Sequence, residues 1–210
     1  MRTAFISDIH GHWQGLEIVL RDIQTQQIDR IVCLGDMIDG GSQNNAVVDF
    51  IRAQQILSVQ GNHDIVDDCE LTVENQQWLK CLPQILVEDD VVYTHVSPHL
   101  KRQLSISNNI EAWNVFDDSN FRLCFIGHIH FPALFGEASE DFGEAHTYPV
   151  DCELHLLNPK DRYIISFGAV GYPRRGGKYI RYGIYDSVTS SVEFRRLEGE
   201  LLPYGLCFPI

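Results

Sequence analysis

Ile56-Leu57-Ser58-Val59-Gln60-Gly61-Asn62-His63-Asp64 carries an apolar run straight into an amide, an imidazole and a carboxylate, with a glycine at the junction. The run, rich in β-branched and aliphatic residues, reads as a buried strand. The glycine supplies the sharp backbone turn that follows it. The same grammar recurs on both sides. Upstream, Ala4-Phe5-Ile6 leads to Asp8-Ile9-His10, and Ile31-Val32-Cys33-Leu34 leads to Gly35-Asp36. Downstream, Val91-Val92-Tyr93-Thr94 leads to His95, and Leu123-Cys124-Phe125-Ile126 leads to Gly127-His128-Ile129-His130. In open α/β sheets, functional groups collect just past the carboxyl ends of the strands. Five strand ends are therefore expected to deliver their polar groups to one edge of one sheet, as a metal centre requires.

The segments between these blocks set the expected architecture. Trp13 to Gln24 places Leu16, Val19, Leu20 and Ile23 at helical spacing, and Asn44 to Gln55 does the same with Val47, Val48, Phe50 and Ile51. A third helix is expected over Glu70 to Lys80. This β-α-β-α-β order argues for a parallel-rich sheet. Past Leu82-Pro83, Ile85 to Glu88 and Val91 to Thr94 flank Asp89-Asp90, a tight hairpin turn. Runs at Tyr163 to Phe167, Tyr179 to Tyr185 and Ser191 to Arg196 read as strands, the last two joined by a turn over Asp186 to Ser190. Two segments, Pro98 to Asn120 and Phe131 to Val150, read as irregular and are expected to border the site. The result is α/β, two mixed sheets packed together with flanking helices, in a single domain spanning residues 1–210.

Composition narrows the class. At 210 residues the chain is long enough to bury about 70% of its unfolded surface. Sixteen basic against 29 acidic residues give a formal charge of −13. Such a surface repels polyanions, which argues against nucleic acid or an anionic membrane as partner. None of the six cysteines (33, 69, 81, 124, 152 and 207) falls in a C-x-x-C pair, so reduced thiols are expected. The first strand starts within a few residues of Met1, and no apolar stretch approaches the ~20 residues of a membrane span. A cytoplasmic location is the expectation.

Carboxylate, amide and imidazole groups without Cys suit divalent Mn, Fe, Zn or Ni rather than a structural zinc site. Seven candidate ligands (Asp8, His10, Asp36, Asn62, His95, His128 and His130) exceed what one open catalytic ion takes. They fit two ions about 3.5–4 Å apart that share a bridge. Such a pair generates hydroxide near neutral pH and neutralises phosphate oxygens, so hydrolysis of phosphate mono- or diesters by metal-bridging hydroxide is the expected reaction.

In this order the blocks resemble the calcineurin-like metallophosphoesterases, whose pattern is D-x-H, G-D-x-x-D, G-N-H-[DE], a lone His and G-H-x-H. The family fold is a sandwich of two mixed sheets flanked by helices. The resemblance implies that Asp8, His10 and His130 hold one metal, that Asn62, His95 and His128 complete the other, and that Asp36 bridges. It also implies a catalytic His63 off the metals, oriented by Asp39. Gly168-Ala169-Val170-Gly171-Tyr172-Pro173-Arg174 resembles the G-S-V-G-x-P-R loop of the compact bacterial phosphodiesterase-like branch, a likeness that ends near Tyr185. Arg174 and Asn62 are the expected substrate contacts, with a small-molecule phosphate ester as partner; the oligomeric state is left open.

Two departures stand out. The phosphoprotein phosphatases and diadenosine tetraphosphate hydrolases carry Arg where this chain has Gly40, and His95 is followed by Val96 where Gly is frequent. A phosphoprotein phosphatase or dinucleoside polyphosphate hydrolase is the alternative enzyme. A non-catalytic binding module with this fold is the alternative of another class, and it should have lost ligands or His63, which this chain keeps.

Overall fold

The computed structural model describes residues 1–66, 69–99 and 104–203. Among these residues, twelve strands form two six-stranded sheets. The first sheet runs β3 (Leu57–Ser58), β2 (Arg30–Cys33), β1 (Arg2–Ile6), β11 (Ile180–Asp186), β12 (Ser191–Leu197) and β9 (Leu154–Leu156). The second runs β4 (Ile85–Glu88), β5 (Val91–Thr94), β6 (Leu123–Ile126), β10 (Tyr163–Phe167), β7 (Pro132–Gly136) and β8 (His146–Tyr148). Both are mixed. β1, β2 and β3 pair in parallel, as do β5, β6 and β10, and the other pairings are antiparallel.

Side-chain alternation explains the layering. One face of β1 sends Phe5 toward the other sheet, where it stacks on Phe125 of β6 at 4.1 Å and meets Phe167 of β10 at 5.7 Å. Val32, Tyr93, Leu123, Ile165 and Phe194 complete this inter-sheet core. The opposite face of β1 sends Ala4 and Ile6 toward α1 (Trp13–Ile23), α2 (Asn44–Ala53) and α3 (Val73–Lys80). The outer face of the second sheet packs Cys124, Ile126 and Ile164 against Ala112, Val115 and Phe116 of α4 (Asn109–Asp118). Four layers result, helix, sheet, sheet, helix, as the two-sheet reading expects.

Three expectations need correction. The polar blocks do not lie on one edge of one sheet: β1, β2 and β3 belong to the first, β5 and β6 to the second. The site therefore straddles the seam between them. The segment from Pro98 to Asn120 is not wholly irregular, because Asn108 caps α4 by accepting the Glu111 N–H at 3.0 Å. The segment from Phe131 to Val150 contains β7 and β8. Residues 100–103 of the first segment, and Cys207, lie outside the described residues. No disulfide joins the described cysteines, and among described residues no helix is long and apolar enough to cross a membrane.

One glycine makes the inter-sheet packing possible. Gly183 of β11 lies beneath the Phe167 ring, and a Cβ there would collide with ring carbons. Gly183→Ala should cost about 1–3 kcal/mol through overpacking. Thermal melting should register this as a fall of several degrees. Adding Phe167→Leu should recover part of the loss; a Gly183→Ala melt matching wild type would contradict this packing.

Candidate metal centre

The chain turns abruptly after β1, β2 and β6. Of the eleven non-glycine residues with positive φ among the described residues, six are Asp8, His10, Asp36, Asp39, His128 and His130. Asp and His tolerate this region better than bulky or β-branched residues. The turns interlock through backbone bonds. Asp8 N–H donates to Gly35 O at 3.0 Å, Ile9 N–H to Asp36 O at 2.8 Å, and Gly171 N–H to Asp8 O at 2.9 Å. The loop after β10 is thus stitched to the loop after β1, and a Cβ at Gly171 would stand 2.6 Å from Ile9 O.

Two clusters share Asp36. In the first, Asp8, His10, Asp36 and His130 are all buried and offer ligand atoms within 4.8 Å of one another, so one ion could touch all four. In the second, His95 Nε2 stands 3.0 Å from Asp36 Oδ2 and 3.1 Å from Asn62 Oδ1. His128 Nδ1 completes it, 2.9 Å from the same Asn62 oxygen. The seven expected ligands are therefore brought together.

The donor set fits a cation on grounds internal to this geometry. His10 Nδ1 lies 2.8 Å from Asp39 O, His130 Nδ1 2.7 Å from Tyr172 O, and His95 Nδ1 2.6 Å from Leu34 O. A carbonyl only accepts, so each Nδ1 carries a proton, and in the neutral ring each Nε2 offers a lone pair to a cation. Yet His10 Nε2 and His130 Nε2 face each other at 3.3 Å, and His95 Nε2 faces two oxygens. Asp36 Oδ2 is buried without a hydrogen bond of sound geometry. Lone pairs converging in a buried space call for positive charge between them.

Without a cation in place, the positive charge falls to the imidazoles. Burial works to raise the Asp8 carboxyl, but the His130, His95 and His10 imidazoles outweigh it and hold the group well below the usual range. Asp36 is likewise depressed, burial being outweighed chiefly by His95. Burial lowers His10, and lowers His128 to about 4 with help from His95. Burial also opposes charge on His95, yet Asp36 prevails and lifts it to about 9.

His63 stands beside the clusters. Its Nδ1 is 2.5 Å from Asp39 Oδ2, and its backbone N–H donates to Asp36 Oδ1 at 2.8 Å. Its ring meets His10 edge-on at 5.0 Å and keeps nearly a third of its surface exposed. Arg174 is exposed, its backbone N–H donates to His130 O at 3.2 Å, and its charge is felt at His128 and His130.

Sequence reasoning missed two residues. Asp64 is buried, and its carboxylate accepts the N–H groups of Asp36 at 2.9 Å, Met37 at 2.8 Å and Gly61 at 2.8 Å, locking two ligand-bearing turns together. Burial, and then the Asp36 charge, push its carboxyl up to about 6 against the Gly61 and Met37 N–H donors. Its place in the Gly61-to-Asp64 block was the available signal. Tyr172 stacks on His10 and tilts against His130, both at 4.7 Å, while its carbonyl fixes the His130 tautomer. A lone Tyr in a loop carries no comparable signal.

Comparison with known proteins converges on one class. The calcineurin-like phosphoesterase family matches residues 1–86. An uncharacterized protein of Methanocaldococcus jannaschii is 30% identical, over 94% of this chain and 88% of its own length. The crystal structure of a metallophosphoesterase from Sphaerobacter thermophilus is 31% identical with a TM-score of 0.81, over 95% of this chain and 90% of that one. A hypothetical protein of Pyrococcus horikoshii shares the fold at 13% identity, with a TM-score of 0.71 over 95% and 88% of the two chains. Fold and site define a metal-dependent phosphoester hydrolase. The chain belongs to the calcineurin-like metallophosphoesterases.

Asp64→Ala would leave three buried N–H groups without an acceptor, at about 1–3 kcal/mol each. Chemical denaturation of the metal-free protein should show a loss of about 3 kcal/mol or more, and metal affinity should fall with it. Asp64→Asn should lose less. Wild-type stability in Asp64→Ala would remove Asp64 from the scaffold of the site.

Proposed function

We propose that this chain hydrolyses phosphate mono- or diesters at a two-metal centre, Asp8, His10 and His130 holding one ion, Asn62, His95 and His128 the other, and Asp36 both. The observation that supports two sites rather than one is the sharing of Asp36 between two clusters of buried lone pairs. Two bound divalent cations supply an activated water and neutralise charge on the phosphate. The rest falls to the chain. Asp39 accepts a hydrogen bond from His63 Nδ1–H, and His63, entering as imidazolium, would give its Nε2 proton to the leaving oxygen and end as the neutral ring. Asn62 and Arg174 would meet a phosphoryl oxygen with an amide and a guanidinium, a role supported by the influence of the Arg174 charge at His128 and His130. Manganese is the first ion to test.

Gly40 bears on the alternatives. A Cβ there would lie 2.9 Å from the Cβ of His10 and 3.5 Å from Leu202 Cδ1, so an arginine at that position would require the adjoining turn to shift. That favours a small phosphate ester over a phosphoprotein or a dinucleoside polyphosphate.

Metal analysis of protein saturated with Mn should find about two ions per chain. Asp36→Asn should lose both metal and activity more severely than any other single carboxylate change. Saturation at one ion would overturn the dinuclear assignment.

His63→Asn should keep its metal and lower turnover by roughly 10²–10⁴-fold. The loss should shrink for nitrophenyl esters, whose leaving group needs no proton. A uniform loss across leaving groups would assign His63 to the phosphoryl oxygens instead.

A further inference from the structure

A cavity of about 250 Å³ opens directly onto Asn62, His95 and His128, the second of the two clusters. Ile65, Gln84 and Val96 contribute to its walls, together with Gln60 and Thr94. Much of the polar capacity around it is already committed. The Thr94 hydroxyl donates to Ser97 O at 3.0 Å and to Gln84 O at 3.2 Å, and Gln60 Nε2 donates to Leu79 O at 2.7 Å. The Gln84 side-chain amide forms no hydrogen bond among the described residues, which leaves it available to a ligand. Ile65 is half exposed at the rim, and Val96 is buried in the wall. Apart from the two imidazoles, no charged side chain lines the space among the described residues.

Accepting the phosphoesterase reading above, we infer that this cavity seats an uncharged organic substituent of the substrate's phosphorus, so that the substrate class is a phosphate ester of a small neutral alcohol. Three features carry this. The cavity adjoins candidate ligands directly, so a group attached to phosphorus held there enters it without a linker. Its volume falls below the 300–1,000 Å³ of drug-sized pockets, which suits one sugar- or aryl-sized moiety. Its lining offers aliphatic carbon and a neutral amide, and a second anion would be desolvated there without a partner. A larger hollow of about 380 Å³ near Phe131, Tyr148 and Arg175 includes no candidate ligand, and Arg175 stacks on Phe131 at 3.7 Å within it. It therefore competes poorly for a group bound to phosphorus.

Calorimetry on the Mn-loaded protein tests this without turnover, using inorganic phosphate, propylphosphonate and 2-carboxyethylphosphonate, whose C–P bonds resist hydrolysis. Propylphosphonate should bind about tenfold more tightly than the carboxylated analogue, a difference comparable to burying two CH₂ groups. Gln84→Lys, a change at an exposed position, should tighten the carboxylated analogue selectively and close that gap. Ile65→Ala should weaken propylphosphonate and leave inorganic phosphate within twofold. Equal binding of the two analogues by wild type, or an equal shift of both in Gln84→Lys, would overturn the neutral subsite while leaving the phosphoesterase reading intact. Failure of inorganic phosphate and both phosphonates to bind would overturn both.

Discussion

The site depends on a backbone that reverses within single residues at the ends of several strands. Asp8, His10, Asp36, Asp39, His128 and His130 all hold positive φ, a region that costs a non-glycine residue of order 1–3 kcal/mol when the surroundings impose it. Strands alone would carry these side chains onward and apart. The reversal lets carboxylates and imidazoles from separate strands meet within bonding distance of one point. What holds the turns is mutual: Ile9 and His10 donate to Asp36 O, Val170 donates to Ser7 O, and Gly127 donates to His95 O. No loop of the set is held in place by its own sequence alone. The two-sheet core beneath fixes their relative positions, which is why the Phe5–Phe125 stack between the sheets belongs to the account of the site.

The same convergence creates an electrostatic problem. Asp8 and Asp36 are removed from water, with Asp64 buried close behind. Carboxylates so placed survive only with cationic or hydrogen-bonding partners. Asp64 is satisfied by three backbone donors and Asp8 accepts the His128 N–H, whereas one oxygen of Asp36 lacks a hydrogen bond. The imidazoles compensate in part, but their Nδ1 protons are committed to carbonyls that point away from the centre. Cations binding the folded state and not the unfolded chain would stabilise it by mass action. Strained turns and buried anions thus make folding and metal binding a coupled problem in this chain.

How much of this was legible in the sequence follows from which forces are local. The five blocks could be read because an apolar strand and a polar turn leave a clear mark within ten residues. The helices α1 and α2 could be read from their apolar stripes. The division of those strands between two sheets could not, since it is decided by where β10 and β11 insert, and both come more than a hundred residues after β1. Helix α4 was obscured because Ile110 and Trp113 sit among acids, and only Ala112, Val115 and Phe116 are buried. Its Asn108–Glu111 cap was present in the sequence and went unread. Strand β7 was hidden by the proline at its start, and β8 by its three-residue length and exposed polar residues. Asp64 lay within a block already singled out, but its role became visible only when three N–H groups from two loops were seen to point at it.

Substrate selection then follows from what the scaffold leaves open beside the ligands. At Gly40 a Cβ would press on His10, so a larger side chain at that position would require the adjoining turn to shift. The proposed source of positive charge is Arg174, on the loop stitched to the strand end that bears Asp8 and His10. After His95, the chain places Val96 in the wall of a cavity where a glycine would leave more room. An acidic protein with a formal charge of −13 repels anions over its surface at large, so under the proposed reading attraction to a phosphate would be concentrated at the metal centre and Arg174. Beyond that point the lining is neutral and the space small. If the proposed substrate reading holds, a single phosphoryl group would sit at the centre, and whatever else the substrate carries would have to be compatible with aliphatic carbon and an amide.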